Sequence, residues 1–153
     1  MDAKVFSINI SEKKGTFKIP IKEGIFEKNE GLLNDAHKGK GDRQVSLLAL
    51  EDIKKINACP KIKNNPIDTI EPGNFAENIT TIGIDLSSLE IGTCLKIGDE
   101  VILKISKIGK ECHRYCSIYY KIGDCIMPKK GIFGQVIEKG EIKVGDKIEI
   151  IEI

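Results

Sequence analysis

Apolar and polar residues alternate over several short stretches of this chain, which is the pattern of half-buried β-strands. The alternation is clear in residues 3–10 and 17–22. Pro20 lies inside the second stretch and has no amide hydrogen to donate, so this strand should lie at a sheet edge or carry a bulge. Two further strands are predicted, over residues 44–48 and 79–86.

One helix is predicted, over residues 49–57, because apolar residues recur there at a spacing of three and Pro60 ends the pattern. The neighbouring stretches, residues 23–42 and 60–78, are rich in Gly, Asn and Pro. Both are predicted as long irregular segments, and long loops in small domains are usually functional or disordered.

Three similar tetrapeptides, Lys-Ile-Gly-Asp twice and Lys-Val-Gly-Asp once, start at Lys96, Lys121 and Lys143. Gly-Asp between alternating apolar runs is a turn signal. Many short strands, one helix and several long loops predict a mainly β fold, a β-barrel or closed sheet. The 153 residues are predicted to form one domain, residues 1–153.

The overall composition excludes some classes of function. The net charge is +1, so the charge balance does not indicate a nucleic acid or an anionic membrane as partner. The chain has no export signal and no apolar run near the ~20 residues that span a bilayer. Five cysteines, an odd number, in such a chain indicate free thiols and a cytoplasmic location.

Much of the reactive chemistry is concentrated in residues 105–133. This segment contains Cys112, Cys116 and Cys125, one of the two histidines and all three tyrosines. Lysine and arginine side chains surround the thiols, and cationic neighbours favour the thiolate, which attacks electrophiles and binds metals. The opposing interpretation is that each cysteine is a small core residue.

The glycine-rich residues 23–42 and the basic residues that follow them form a second candidate. The segment brings together Asp35, His37, Lys38, Asp42 and Arg43 with several glycines. Backbone amides and cations converging in such a loop can hold an anion. The phosphate-binding P-loop pattern is absent.

Three blocks of this sequence together resemble the MOSC domain, which is named for the C-terminal part of molybdenum cofactor sulfurases. The first is Asp-Ala-His-Lys-Gly at 35–39 with Asp-Arg-Gln-Val-Ser-Leu-Leu at 42–48. The second is Pro-Gly-Asn-Phe-Ala-Glu-Asn at 72–78, continued by Ile-Thr-Thr at 79–81 and Gly-Ile at 83–84. The third is the strand leading into Cys112, followed by Gly-Ile-Phe at 131–133 and a closing glycine-aspartate segment. The resemblance covers about residues 3–152.

The resemblance implies a mostly β fold built round a barrel, with a conserved cysteine. It implies molybdenum cofactor (molybdopterin) as the bound group and sulfur handling as the activity. Partners implied are a cysteine desulfurase or molybdoenzymes. Pyridoxal phosphate enters by family association alone, because the fused sulfurases carry its Schiff-base lysine in another domain; it is not predicted to bind here.

Carried onto this sequence, the family cysteine corresponds to Cys112, the predicted catalytic thiol and molybdenum ligand. Lys110 and Glu111 stand where relatives have arginine and proline, so Cys116 stays a second catalytic candidate. Ala76 stands where relatives usually have glycine. The predicted cofactor-binding residues, chosen as phosphate cations or as groups that read pterin edges, are His37, Lys38, Arg43, Gln44, Asn78, Lys110 and Arg114.

Each assignment has a plainer alternative. His37 could bond a backbone carbonyl, and Arg43 could pair with Asp35 or Asp42. Glu77 and Asn78 could brace the turn after Pro72-Gly73. The remaining cysteines, Cys59 and Cys94, are interpreted as structural. A structural zinc site at Cys112, His113, Cys116 and Cys125 lacks the paired Cys-x2-Cys spacing.

The sequence therefore predicts a stand-alone MOSC domain that binds molybdenum cofactor and carries sulfur on a reactive cysteine. One alternative is a molybdenum-dependent reductase of N-hydroxylated compounds. It would work with separate electron donors, since the chain has no flavin or nicotinamide fingerprint. The other alternative is a non-catalytic interaction module. Whether the domain is an enzyme is left open by the sequence.

Overall fold

Short strands dominate the structure, as the alternating pattern predicts. The computed structural model describes residues 2–13, 16–36, 38–39, 41, 44–57, 71–109 and 131–152. The helical elements within these ranges are α1 (Leu50–Asn57) and a 3-10 helix over Leu86–Ser88. The strands are β1 (Lys4–Ile10), β2 (Ile19–Ile21), β3 (Glu23–Glu27), β4 (Gly31–Leu32), β5 (Val45–Ala49), β6 (Ile79–Ile82), β7 (Cys94–Ile97), β8 (Val101–Ile108), β9 (Ile132–Glu138), β10 (Gly140–Lys143) and β11 (Ile148–Ile151).

The strands form two sheets. The large sheet has the order β11-β7-β8-β9-β5-β6-β1-β2, and the small one has the order β10-β3-β4. The β5 and β6 strands are parallel, and the other ladders are antiparallel. A parallel pair needs a crossover connection, and α1 lies in that connection and packs against both strands.

The predicted closed barrel is corrected to an open sheet whose ends are joined by a few bonds. Residues 8–10 of β1 pair with β2, which leaves the start of that edge for other partners. There, Lys4 forms an isolated bridge with Lys147, and the Ile148 amide donates to the Ala3 carbonyl at 2.9 Å. No continuous ladder closes the ring among the described strands because β2 occupies the rest of this edge.

The prediction of a long loop over residues 23–42 is wrong for its first half. The β3 and β4 strands form a hairpin there, and β3 also pairs with β10. This partner lies more than a hundred residues away in the sequence, so local composition does not reveal the strand. Gly24 suits the position because a Cβ there would come within 2.6 Å of a Leu32 methyl group.

The predicted strand over 79–86 ends early, at Ile82. Gly83 follows with a positive φ of 76° and turns the chain toward the 3-10 helix, whose first turn Asp85 caps. The edge position of Pro20 is confirmed, since β2 ends the large sheet. The turns at Gly98-Asp99 and Gly145-Asp146 are confirmed too, and the tetrapeptide at 121–124 lies outside the described residues.

Aliphatic side chains from both ends of the large sheet share one core. Ile8, Leu47, Ile79, Leu95 and Val136 are all fully buried in it. The β5 strand is buried on both faces, which explains why four of its five residues are apolar. The polar residue of this strand, Ser46, is therefore shielded from water.

Candidate functional site

The segments that carry the first two sequence blocks enter the large sheet at the same end of two neighbouring strands. Residues 31–44 lead into β5 and residues 71–78 lead into β6. Because these strands are parallel, both segments arrive at one end of the pair. The β1 strand runs antiparallel to β6 and ends there, so three distant parts of the sequence meet.

Asn78 joins these three parts. Its backbone N–H donates to the Ser46 hydroxyl at 2.9 Å, and its side-chain oxygen accepts from the Ser46 backbone N–H at 3.0 Å. Its side-chain nitrogen donates to the Asn9 carbonyl at 3.3 Å. Asn78 is fully buried, so it braces the second block against β5 and β1. Its predicted contact with the cofactor stays a prediction.

A directed chain of hydrogen bonds ends on Glu77. The Ser7 hydroxyl donates to Asn9 Oδ1 at 2.7 Å, and Asn9 Nδ2 donates to the Thr80 hydroxyl at 3.1 Å. The Thr80 hydroxyl in turn donates to Glu77 Oε2 at 2.9 Å. Bonds aligned in this way strengthen one another in a buried setting. We call Ser7, Asn9, Ser46, Glu77, Asn78 and Thr80 the polar cluster.

The carboxyl group of Glu77 is held in an environment that disfavours its charge. The residue is fully buried, and this burial raises its pKa to about 7, although the Thr80 hydroxyl and nearby backbone amides favour the ionised form. Its Oε1 atom has no hydrogen-bond partner in the part of the chain that the structure describes. Glu77 is therefore poised to exchange a proton near neutral pH.

A buried ion pair lies beside the polar cluster. Lys18 Nζ is 2.8 Å from Asp35 Oδ1, and both side chains have no exposed surface. The same carboxylate oxygen accepts from the Ser11 amide at 3.1 Å. Asp35 belongs to the first sequence block, and its predicted pairing with Arg43 cannot be compared because Arg43 lies outside the described residues.

Gly73, in the second block, makes a close approach that excludes every other residue type. Its φ is +92°, and a Cβ atom there would lie 2.3 Å from the Lys18 carbonyl oxygen. The Gly73 carbonyl accepts a hydrogen bond from the Lys18 amide at 2.8 Å. The Pro72-Gly73 turn is thus pressed directly against the residue that forms the buried ion pair.

Ala76 adopts a conformation that favours glycine. Its φ is +63°, in the left-handed region, which costs an L-residue with a Cβ about 1–2 kcal/mol. A glycine would adopt this conformation without that cost. The alanine here carries the strain, and hydrogen bonds hold it: the Ala76 amide donates to the Gly73 carbonyl at 3.0 Å.

We expect Ala76→Gly to raise the free energy of unfolding by about 0.5 kcal/mol. Relief of the left-handed strain exceeds the extra freedom that glycine has in the unfolded chain, which costs about 0.4–1 kcal/mol. Urea unfolding measures the change. The matched control is Ala49→Gly in β5, which should lower stability by about 1 kcal/mol. A loss of stability at both positions would contradict this account of Ala76.

Two other predicted site residues can be located. Gln44 is buried, and its Oε1 accepts from the Val136 amide at 3.2 Å, which ties the start of β5 to β9. Lys38 is partly exposed, and its Nζ lies 3.3 Å from Glu27 Oε1. Lys38 therefore presents a cation that an anion can reach, whereas Gln44 lies beneath the surface. Cofactor contacts by either residue stay predictions.

The other predicted site residues lie outside the described part of the chain. The structure nevertheless places the base of the segment that carries the cysteines. The Gly109 amide donates to the Gly131 carbonyl at 2.8 Å, so the two ends of the segment 110–130 are held together. Residues not described are His37, Arg43, Lys110, Cys112, Cys116 and Arg114.

This base lies close to the polar cluster. Phe133, two residues after Gly131, is paired with Ser46 across the β9–β5 ladder. Two residues of strand span about 7 Å. The three sequence blocks are thus anchored on adjacent strands, although they are spread over more than a hundred residues of the sequence.

Sequence reasoning missed several residues of this site. Lys18, Asn9 and Ser7 lie on predicted strands, where they read as ordinary outward-facing polar positions. A signal existed for Asn9, because an Asn between Ile8 and Ile10 is an unusual strand residue. Cys94 is buried with 7% exposure, and its structural role stays a prediction. Cys59 lies outside the described residues.

Metal ligands do not converge in the described ranges. No group of three or more His, Cys, Asp or Glu side chains that could hold a metal ion is found there. The described helices likewise include none long and apolar enough to cross a membrane.

The sequence matches the family model of the MOSC domain over residues 34–149. This match covers about three quarters of the 153 residues and includes all three blocks. The chain belongs to the MOSC domain family. The match confirms the resemblance noted from the sequence. The family is associated with molybdenum cofactor. No curated protein gives a significant sequence match.

Solved structures share the same MOSC-type fold. The YuaD protein from Bacillus subtilis aligns with a TM-score of 0.78 at 20% identity, covering 98% of this chain and 96% of that one. YiiM from Geobacillus stearothermophilus aligns with a TM-score of 0.73 at 17% identity, covering 98% and 75%. YiiM from Escherichia coli gives 0.67 at 19% identity, covering 99% and 69%. At these identities the likeness establishes the fold.

Proposed function

We propose that this MOSC domain binds molybdenum cofactor and carries sulfur on Cys112. The observation that supports the proposal is the anchoring of three sequence blocks on adjacent strands. The first two blocks meet at the polar cluster, and the cysteine segment is closed at its base by the bond between Gly109 and Gly131 at 2.8 Å. A segment whose two ends are held together beside the other blocks can place its side chains near those blocks.

The described residues suit the cofactor in two ways. Lys38 offers a partly exposed ammonium group to the cofactor phosphate, a role for which a point charge is well suited. Gln44 and Asn78 are buried and hydrogen-bonded, so they hold the backbone around the site rigid. When bound, the cofactor supplies a molybdenum centre that can accept sulfur.

Cys112 supplies the nucleophile in this proposal. Its thiolate attacks the outer sulfur of a persulfide on a donor protein such as a cysteine desulfurase. The new S–S bond forms on Cys112 as the donor thiolate leaves, so the persulfide moves without net oxidation or reduction. Lys110, His113 and Arg114 are sequence neighbours that favour the thiolate. The Cys116 thiolate then attacks the Cys112 Sγ atom. A Cys112–Cys116 disulfide forms, and the outer sulfur leaves as sulfide, which the acceptor takes up.

Sulfur loading of Cys112 gives the first test. Intact-mass spectrometry after anaerobic incubation with a cysteine desulfurase and cysteine should show one added sulfur on the wild type. We expect Cys112→Ala to lose this addition and Cys94→Ala to keep it, because Cys94 is buried in β7. Equal loading of the wild type and Cys112→Ala would assign the thiol to Cys116 or Cys125 and contradict the proposal as stated.

Cofactor retention gives the second test. The wild type, Cys112→Ala and Cys94→Ala are incubated anaerobically with molybdenum cofactor, and the retained pterin is oxidised and measured by fluorescence. We expect the wild type and Cys94→Ala to retain similar amounts and Cys112→Ala to retain about tenfold less, as for loss of a metal ligand or its support. No retention by any of the three would contradict cofactor binding. Retention without sulfur loading would favour the reductase alternative.

A further inference from the structure

We infer that the buried Lys18–Asp35 pair is a positioning pair, which sets the geometry of the first sequence block relative to the second. The inference rests on the proposed function, since the two blocks form part of the proposed cofactor site. Neither residue belongs to the predicted set of site residues. Both act through the backbone that they hold.

Lys18 contacts the two blocks with different groups. Its backbone amide donates to the Gly73 carbonyl at 2.8 Å, in the second block. Its ammonium group lies 2.8 Å from Asp35 Oδ1, in the first block. One residue of the chain leading into β2 therefore sets the separation of two loops that are nearly forty residues apart in sequence.

Asp35 extends this connection into its own loop. Its carbonyl accepts from the Lys38 amide at 3.2 Å, and the next residue, Ala36, donates to the Ser11 carbonyl at 2.8 Å. The Ser11 amide returns a hydrogen bond to Asp35 Oδ1 at 3.1 Å. The backbone that leads to His37 and carries Lys38 is thus held at Asp35 and Ala36.

The close contact at Gly73 makes the arrangement sensitive to position. A Cβ on Gly73 would lie 2.3 Å from the Lys18 carbonyl oxygen, so the second block can approach Lys18 with a glycine and with no other residue. The two backbone segments cannot come any closer together. A shift of Lys18 must therefore move the Pro72-Gly73 turn or break its hydrogen bond.

A buried ion pair is a poor device for stability alone. Its desolvation offsets much of its attraction, and uncharged pairs of similar volume often fold as well. The pair is better explained by the geometry it imposes: a charged, multiply bonded carboxylate fixes distances that an apolar contact leaves loose. This distinction between stability and geometry can be tested.

The test uses the double variant Lys18→Met/Asp35→Asn, which removes both charges and keeps the side-chain shapes. The asparagine retains an oxygen for the Ser11 amide. The control is Lys143→Met/Glu141→Gln, which removes an exposed pair separated by 3.5 Å. We expect both double variants to melt close to the wild-type temperature.

Two measurements then follow on the full chain. Hydrogen–deuterium exchange should be at least tenfold faster at the amides of Ala36, Lys38 and Gly39 in the Lys18→Met/Asp35→Asn variant, and unchanged at Asn78. Retention of molybdenum cofactor should fall about tenfold in that variant and stay unchanged in the control. Together these results at an unchanged melting temperature support the inference.

Other results would overturn it. Wild-type exchange rates in the double variant would show that the pair does not hold the loop. Faster exchange with full cofactor retention would show that the pair anchors a loop that the site does not need. If the wild type itself retains no cofactor, the proposed function fails, and the exchange rates alone decide whether the pair positions the two blocks.

Discussion

Asp35→Asn alone should destabilise the protein by about 3–5 kcal/mol, the usual loss when one partner of a buried ion pair is removed. The Lys18 ammonium would stay at a site with no exposed surface after its carboxylate partner is gone. The loss comes mainly from the attraction to the Asp35 carboxylate that this buried ammonium loses, and less from the change in the hydrogen bond. Chemical denaturation at neutral pH measures the change in the free energy of unfolding.

The control for this prediction is Asp99→Asn, an exposed aspartate in the turn after β7. Surface changes of this kind usually stay within about 0.5 kcal/mol. Adding Lys18→Met to Asp35→Asn should restore most of the lost stability, because the buried ammonium charge is then removed as well. A double variant as unstable as Asp35→Asn would mean that the lost contacts, and not the charge, dominate.

Glu77 should make the protein less stable as the pH rises from about 4.5 to 7. Burial raises the pKa of this carboxyl from 4.5 to about 7, so within this window the folded protein holds a proton that the unfolded chain has released. Folding is therefore favoured by protons, and the advantage is lost as the pH passes the raised pKa. The pKa difference corresponds to roughly 3 kcal/mol.

The measurement compares the free energy of unfolding of the wild type and Glu77→Gln between pH 4.5 and 8.5. The variant cannot ionise at this position, so its stability relative to the wild type should grow by up to roughly 3 kcal/mol over that range. The control is Glu71→Gln, an exposed glutamate in the same segment. If the difference in the free energy of unfolding between the wild type and Glu77→Gln does not change with pH, the raised pKa of Glu77 is refuted.

The parts of the fold that could be predicted from the sequence depend on local patterns. The alternation in β1, the apolar run of β5 and the spacing of three in α1 are each complete within ten residues. The β3 strand was missed because its main partner, β10, lies far along the chain. Its glycine is an ordinary loop signal unless the neighbouring Leu32 is known to lie against it.

The candidate site divides in the same way. The three blocks could be recognised because residue type and spacing carry the family pattern. The Lys18–Asp35 pair could not, since a lysine between Phe17 and Ile19 reads as the polar face of a strand, and its partner is seventeen residues away. The sequence indicates at most that Glu77 braces the turn after Pro72-Gly73. Its burial depends on the packing of the loop against β1 and β6, which one sequence does not reveal.

The bonds between residues 3–5 and 145–148 also have a consequence for the order in which the protein folds. Residues 3–5 can meet these partners only after about 140 further residues have been synthesised. Contacts of such long sequence separation form late and slow the folding of β proteins. Until then the Ala3 end of β1 is an exposed strand edge, a site where nascent chains pair wrongly or recruit chaperones.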